Sequence, residues 1–128
     1  MVSIDTINVI MVRPSHKELS KKIIQAKAAV ENGYVRILNM VSLVSDAEEL
    51  GILIENDLEE LLLELLDKSC IENYVGGRPP QKSYQQTIQG VELFAFAIQK
   101  TSLNGPLYYK FSIVKGTLYL ISLHRDRE

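Results

Sequence analysis

The C-terminal segment, Leu107-Tyr-Tyr-Lys-Phe-Ser-Ile-Val-Lys-Gly-Thr-Leu-Tyr-Leu-Ile-Ser-Leu-His-Arg-Asp-Arg-Glu128, constrains the fold of this chain most. Two runs of β-forming residues flank a Lys115-Gly116 turn, which predicts an antiparallel hairpin. Side chains alternate faces along a strand, so the pairing register decides which residues emerge together. Tyr109, Phe111 and Ile113 share one face of the first run, and Tyr108, Lys110 and Ser112 the other. In the second run Tyr119, Ile121 and Leu123 oppose Leu118, Leu120, Ser122 and His124. A Lys115-Gly116 loop pairs Val114 with Thr117 and places Phe111 on the face of Ser122 and His124. A loop of Val114-Lys115-Gly116, with Gly116 in the left-handed position, joins the two apolar sets instead. A one-residue slip inverts a whole strand, so burial selects the second register. Tyr108, Lys110, Ser112, Ser122 and His124 are then expected on one polar face, His124 diagonal to Tyr108.

At 128 residues the chain is expected to form a single domain spanning 1–128. Its apolar runs are broken by Glu or Lys well short of a membrane span. Met1-Val-Ser-Ile-Asp5 has an acidic residue where a secretory signal would carry a basic one. Cys70 is the sole cysteine, which excludes an intramolecular disulfide and fits a reducing, cytoplasmic location. Only His16 and His124 could join it, so no metal site and no cofactor are expected. Charge is segregated. Residues 1–44 carry six basic and three acidic groups, residues 45–73 one and ten, and residues 74–128 seven and three. The acidic block reads equally as a solvated helix face or as the complement of basic flanks that converge on an anion.

Residues 2–12 read as a strand. After Pro14, Ser15-His-Lys-Glu18 is a capping box, and Leu19, Ile23, Ala26 and Val30 follow at helical spacing to Asn32-Gly33. Tyr34-Val-Arg-Ile-Leu38 looks extended. Ser45–Gly51 reads as one capped helical turn, and Asn56 as the cap of an acidic helix. There Leu58, Leu61, Leu62, Leu65 and Leu66 form one apolar face, with Leu63 off it. Gly76–Ser83 is a loop stiffened by Pro79-Pro80. Val91–Ile98 is apolar on both sides, which predicts a central strand. The order predicts an α+β fold: helices over about 15–73, packed on an antiparallel meander of three or more strands over about 84–125.

P-loops, nucleophile elbows and paired zinc histidines are missing from the sequence. Cys70 follows the leucine-rich helix and reads as a buried, inert thiol. The candidates are His124 for proton transfer, Tyr108 and Lys110 for phosphate contact, and Arg78 and Lys82 as cations on the stiff loop. Ser122 and Arg125 flank His124 as further substrate contacts. Bland alternatives exist for each: a solvated terminal imidazole, an exposed cross-strand pair, or an ordinary surface loop.

The helix, Asn32-Gly-Tyr-Val-Arg36, Ala47-Glu-Glu-Leu-Gly-Ile52, the acidic leucine-rich helix and the closing Leu107-Tyr-Tyr-Lys110…Ile121-Ser-Leu-His124 hairpin follow in one order. This order resembles the MqsR-like bacterial toxins, a branch of the RelE-like fold, across most of residues 17–124. The resemblance implies a small ribonuclease that cuts messenger RNA without a metal and is silenced by an antitoxin. It implies that Tyr108 and Lys110 act on the phosphate and that Ser122 and His124 close the site. The chain departs from the family pattern at Val75, where a Lys is usual, and at Phe94–Ile98, where a Gln is usual. Arg78 or Lys82 is the candidate substitute for the missing cation. The competing expectation is a non-catalytic protein-interaction or RNA-binding module whose acidic helix, around Glu55–Asp67, holds a basic partner.

Overall fold

The computed structural model describes residues 15–126. The strand expected over residues 2–12 lies outside the described residues. The fold is α+β, with three helices packed against a four-stranded mixed sheet.

Helix α1 (His16–Glu31) begins where the capping box places it: Ser15 Oγ accepts the Glu18 amide at 3.1 Å. It buries Leu19, Ile23, Ala26, Ala29 and Val30 on one stripe. Asn32 and Gly33 close it, and Gly33 takes φ 77°, a conformation open to glycine without a Cβ clash. Strand β1 (Val35–Ile37) follows and pairs in parallel with the last strand of the sheet.

Helix α2 (Met40–Leu50) starts five residues before the predicted Ser45 cap. Leu43, Ala47 and Leu50 are its buried positions, at i, i+4 and i+7. Val41 and Val44 are weak helix formers that face outward, which masks the first turn in sequence. Gly51, at φ 75°, ends the helix as expected. Helix α3 (Ile54–Lys68) is capped differently from the expectation for Asn56: Leu53 is the N-cap, and its amide donates to Asp57 Oδ2 at 2.8 Å. Its five leucines are buried as predicted, and Leu63, half-buried, packs against the same core. A Lys27–Asp67 ion pair of 2.8 Å joins α1 to α3 at the surface.

Strands β2 (Phe94–Ile98), β3 (Leu107–Val114) and β4 (Thr117–Arg125) form the antiparallel meander, and the sheet order is β1-β4-β3-β2. Strand β2 is therefore an edge, not the central strand predicted. It is buried throughout because the chain doubles back over that edge: Tyr74 bridges Phe96, and the Val75 amide donates to Ala95 O at 2.9 Å. Val91–Leu93, expected to belong to the same strand, instead pair with Gln81–Ser83. The helix-covered face holds the aromatic core, with Phe96, Tyr109 and Phe111 stacked at centroid separations of 5.7 to 6.1 Å. Ser69 Oγ donates to Leu65 O, so the 2.5 Å contact with Tyr109 is a phenol donating to that serine.

Candidate functional site

The terminal hairpin resolves its parity conflict in a way that neither predicted register contains. The turn is the shorter one: Lys115 and Gly116 take φ 49° and 80°, and Val114 pairs with Thr117. Phe111 thus lies opposite Leu120, and Leu118 and Leu120 enter the core rather than the polar face. A β-bulge then places Ile121 as an extra residue, and pairing resumes with Lys110 opposite Ser122 and Tyr108 opposite His124. The bulge inverts β4 once, so Leu123 points inward while Ser122 and His124 emerge beside Lys110 and Tyr108. Polar residues at the open end of the hairpin gather as expected, by a different register. Tyr119, expected on the apolar side, lies opposite Ser112 on this same face.

On this face the Tyr108 and His124 rings stack at 4.9 Å with 19° between planes. Directly opposed residues with small neighbours can stack in this way; here Ala97 sits across from Tyr108 on the other side. His124 Nδ1 lies 2.7 Å from the carbonyl oxygen of Arg125. A carbonyl only accepts, so Nδ1 carries the hydrogen, and in the neutral ring Nε2 holds the free lone pair. Burial, with a smaller contribution from the Asp126 carboxylate, raises the Tyr108 pKa, so the phenol remains a proton donor at neutral pH.

Lys110, half-buried, opens into a pocket of about 330 Å³. The residues from Gln81 to Gln85 form one wall, and Leu93 and Ile121 the apolar floor. The pocket brings Lys82 to Lys110, two of the predicted cations. Ser122 faces Lys110 across the strands. Arg78 is elsewhere: its guanidinium lies over the Tyr74 ring, 5.1 Å from the centroid, beyond the β2 edge. Arg125 opposes Leu107, a core residue, so strand alternation turns it to the opposite face from His124. Its Nη1 is buried near Gly105. Of the seven predicted site residues, the structure gathers Tyr108, Lys110, Ser122, His124 and Lys82 on one side of the sheet.

No known protein-family model matches the chain, and neither does any curated protein sequence. The residues themselves therefore carry the functional reading. Tyr84, Gln81 and Gln85 carry no motif in the sequence, yet they also line the pocket, and Tyr84 is 90% exposed. Their signal was the ladder between Gln81–Ser83 and Val91–Leu93, which the continuous apolar run to Ile98 concealed. Among the described residues, no group of His, Cys, Asp and Glu side chains is arranged to hold a metal ion. Among them also, no helix is long and apolar enough to cross a membrane.

Proposed function

We propose that this chain is a metal-independent endoribonuclease, the toxin of a toxin–antitoxin pair, cleaving RNA by attack of a ribose 2′-oxygen. One observation carries the reading: an imidazole with a free Nε2 stacks on a protonated phenol, with Lys110 two residues along β3 on the same face and Lys82 in the pocket that Lys110 lines. The new bond joins the 2′-oxygen to phosphorus as the bond from phosphorus to the 5′-oxygen breaks. His124 Nε2 takes the 2′ proton, and the Tyr108 hydroxyl supplies a proton to the departing 5′-oxygen. Lys110 and Lys82 offset the charge that builds on the phosphorane oxygens, where fixed cations matter most. Ser122 supplies a hydroxyl to the same phosphate. The products are a cyclic phosphate and a free 5′-hydroxyl.

The decisive experiment incubates purified protein with RNA in EDTA and maps both new ends. Cleavage that leaves cyclic phosphate, and that His124→Ala and Tyr108→Phe strongly reduce, is expected. Folded wild-type protein that leaves RNA intact, even with ribosomes present, overturns the proposal.

A second reading, a protein-binding module, is favoured by a separate feature. Val44, Ala47, Ile52, Leu53 and Ile54 line a groove between α2 and α3, with Glu48 and Glu55 on its wall. Val41, 85% exposed, extends the apolar strip along α2. This groove suits an amphipathic segment with basic flanks, such as an antitoxin would supply. Such a partner would co-purify with wild type and be lost from the Glu48→Lys/Glu55→Lys variant. Retention by that variant would exclude the groove.

A further inference from the structure

The pocket beside Lys110 has more structure than phosphate neutralisation needs. Its outer wall is the short ladder of Gln81–Ser83 on Val91–Leu93. Backbone bonds pin this wall from Ser83 N to Val91 O at 2.8 Å, from Gly90 N to Ser83 O at 2.9 Å, and from Leu93 N to Gln81 O at 2.7 Å. Ser83, itself buried, accepts the Gln85 amide on its hydroxyl at 3.0 Å. The backbone on both sides of Tyr84 is therefore fixed, while the ring itself is 90% exposed. A rigid support holding an aromatic ring in water, at the rim of a pocket containing two ammonium groups, is the arrangement of a base-stacking platform.

The interior of the pocket fits the same ligand. Leu93 and Ile121 offer apolar surface to the face of a planar ring. Gln81 and Gln85 each carry a donor and an acceptor for its edge. Among the described residues no carboxylate lines the pocket; Glu92, the bridge partner of Lys82, lies outside it. Lys110 and Tyr108 are two residues apart on β3 and share a face, a separation of about 6.6 Å along the strand. One strand repeat thus separates the pocket from the Tyr108–His124 pair, a step comparable with that between neighbouring nucleotides of an extended chain.

We infer that this pocket binds one base of single-stranded RNA, stacked on Tyr84, from the nucleotide next to the one presented to Tyr108 and His124. Resting on the ribonuclease reading, the inference adds a determinant of which sequence is cut. Duplex RNA, whose bases are already stacked, is excluded from the pocket.

The test uses a short fluorescent single-stranded oligonucleotide bearing 2′-O-methyl groups, which cannot be cleaved by a 2′-oxygen, and reads binding by anisotropy. Tyr84→Ala is expected to weaken binding about tenfold, the effect of losing one stacked base. Tyr84→Phe, which keeps the ring, is expected to bind as wild type does. A matching duplex is expected to show no difference between wild type and Tyr84→Ala. With cleavable RNA, Tyr84→Ala should raise KM and redistribute the cut sites. Equal binding by wild type and Tyr84→Ala overturns the base pocket, as does a loss that Tyr84→Phe reproduces. Failure of wild type to bind the single strand also overturns it. The two readings separate cleanly. Binding that depends on Tyr84 without any cleavage removes the ribonuclease and keeps the base pocket. Cleavage that is indifferent to Tyr84 does the reverse.

Discussion

The two faces of the sheet are built from the same strands but solve opposite problems. Toward the helices, Tyr109, Phe111, Phe96 and the α3 leucines pack into one core, and the buried Tyr109 phenol donates to Ser69. Burial raises the Tyr109 pKa, and nothing in that surrounding invites a proton to move. On the other face a second phenol, the adjacent Tyr108, is only half-buried and stacks on an imidazole. Adjacent tyrosines on one strand thus differ in role: Tyr109 serves packing, and Tyr108 is the proton donor of the proposed mechanism. Strand alternation separates the two environments and leaves only the Tyr108 phenol partly open to solvent.

The comparison breaks most directly if mutations on the two faces fail to separate activity from stability. His124→Ala should lower RNA cleavage by about a hundredfold to ten-thousandfold while leaving the thermal midpoint nearly unchanged, measured by end-mapped cleavage and by circular dichroism. Leu62→Ala, on the fully buried side, should cost about 2–5 kcal/mol of unfolding free energy, read from urea titration. If it instead left stability unchanged and abolished cleavage, the division of labour between faces would be wrong.

Finer measurements sharpen the same contrast. Because the folded-state pKa of Tyr108 is raised, its phenol stays protonated beyond the usual tyrosine range. Cleavage that depends on that proton should persist into the alkaline range and fall only as pH rises through the elevated value. The residual activity of Tyr108→Phe should lack that limb. Gly116→Ala puts a Cβ on a residue with φ 80°, in open space, and should cost about 1 kcal/mol through backbone strain alone. Ser112 is fully buried on the polar face, and its hydroxyl finds no hydrogen-bond partner among the described residues. Ser112→Ala should therefore be neutral or stabilise the protein by up to about 1 kcal/mol. A clear destabilisation would show that the hydroxyl has a partner after all, such as ordered water.

Periodicity made the large elements legible. The leucines of α3, the Ser15 cap and the meander all follow from local patterns with one physical cause each. The start of α2 was hidden because β-branched Val41 and Val44 occupy helical positions whose burial is settled elsewhere. The position of β2 could not be read because a strand covered by returning chain has the same composition as a central one. The site was half legible. Alternation indicated that Tyr108, Lys110, Ser122 and His124 belong together, but no turn rule predicted the bulge that reconciles them with a buried Leu118 and Leu120. Arg78 and Arg125 looked equivalent to Lys82 in sequence, and only three-dimensional placement shows that one lies over Tyr74 and the other faces the core side. Tyr84 was missed because solitary exposed rings leave no periodic trace.

The surplus residue at Ile121 isolates the two ends of the hairpin from each other. Downstream of it, the facing of every side chain is set locally, so changes in the shape of the distal tip need not be transmitted to the imidazole. Deleting Ile121 would leave Leu120, Ser122, Leu123 and His124 in strict alternation, so Ser122 would still pair with Lys110 and His124 with Tyr108 on a regular, unbulged ladder.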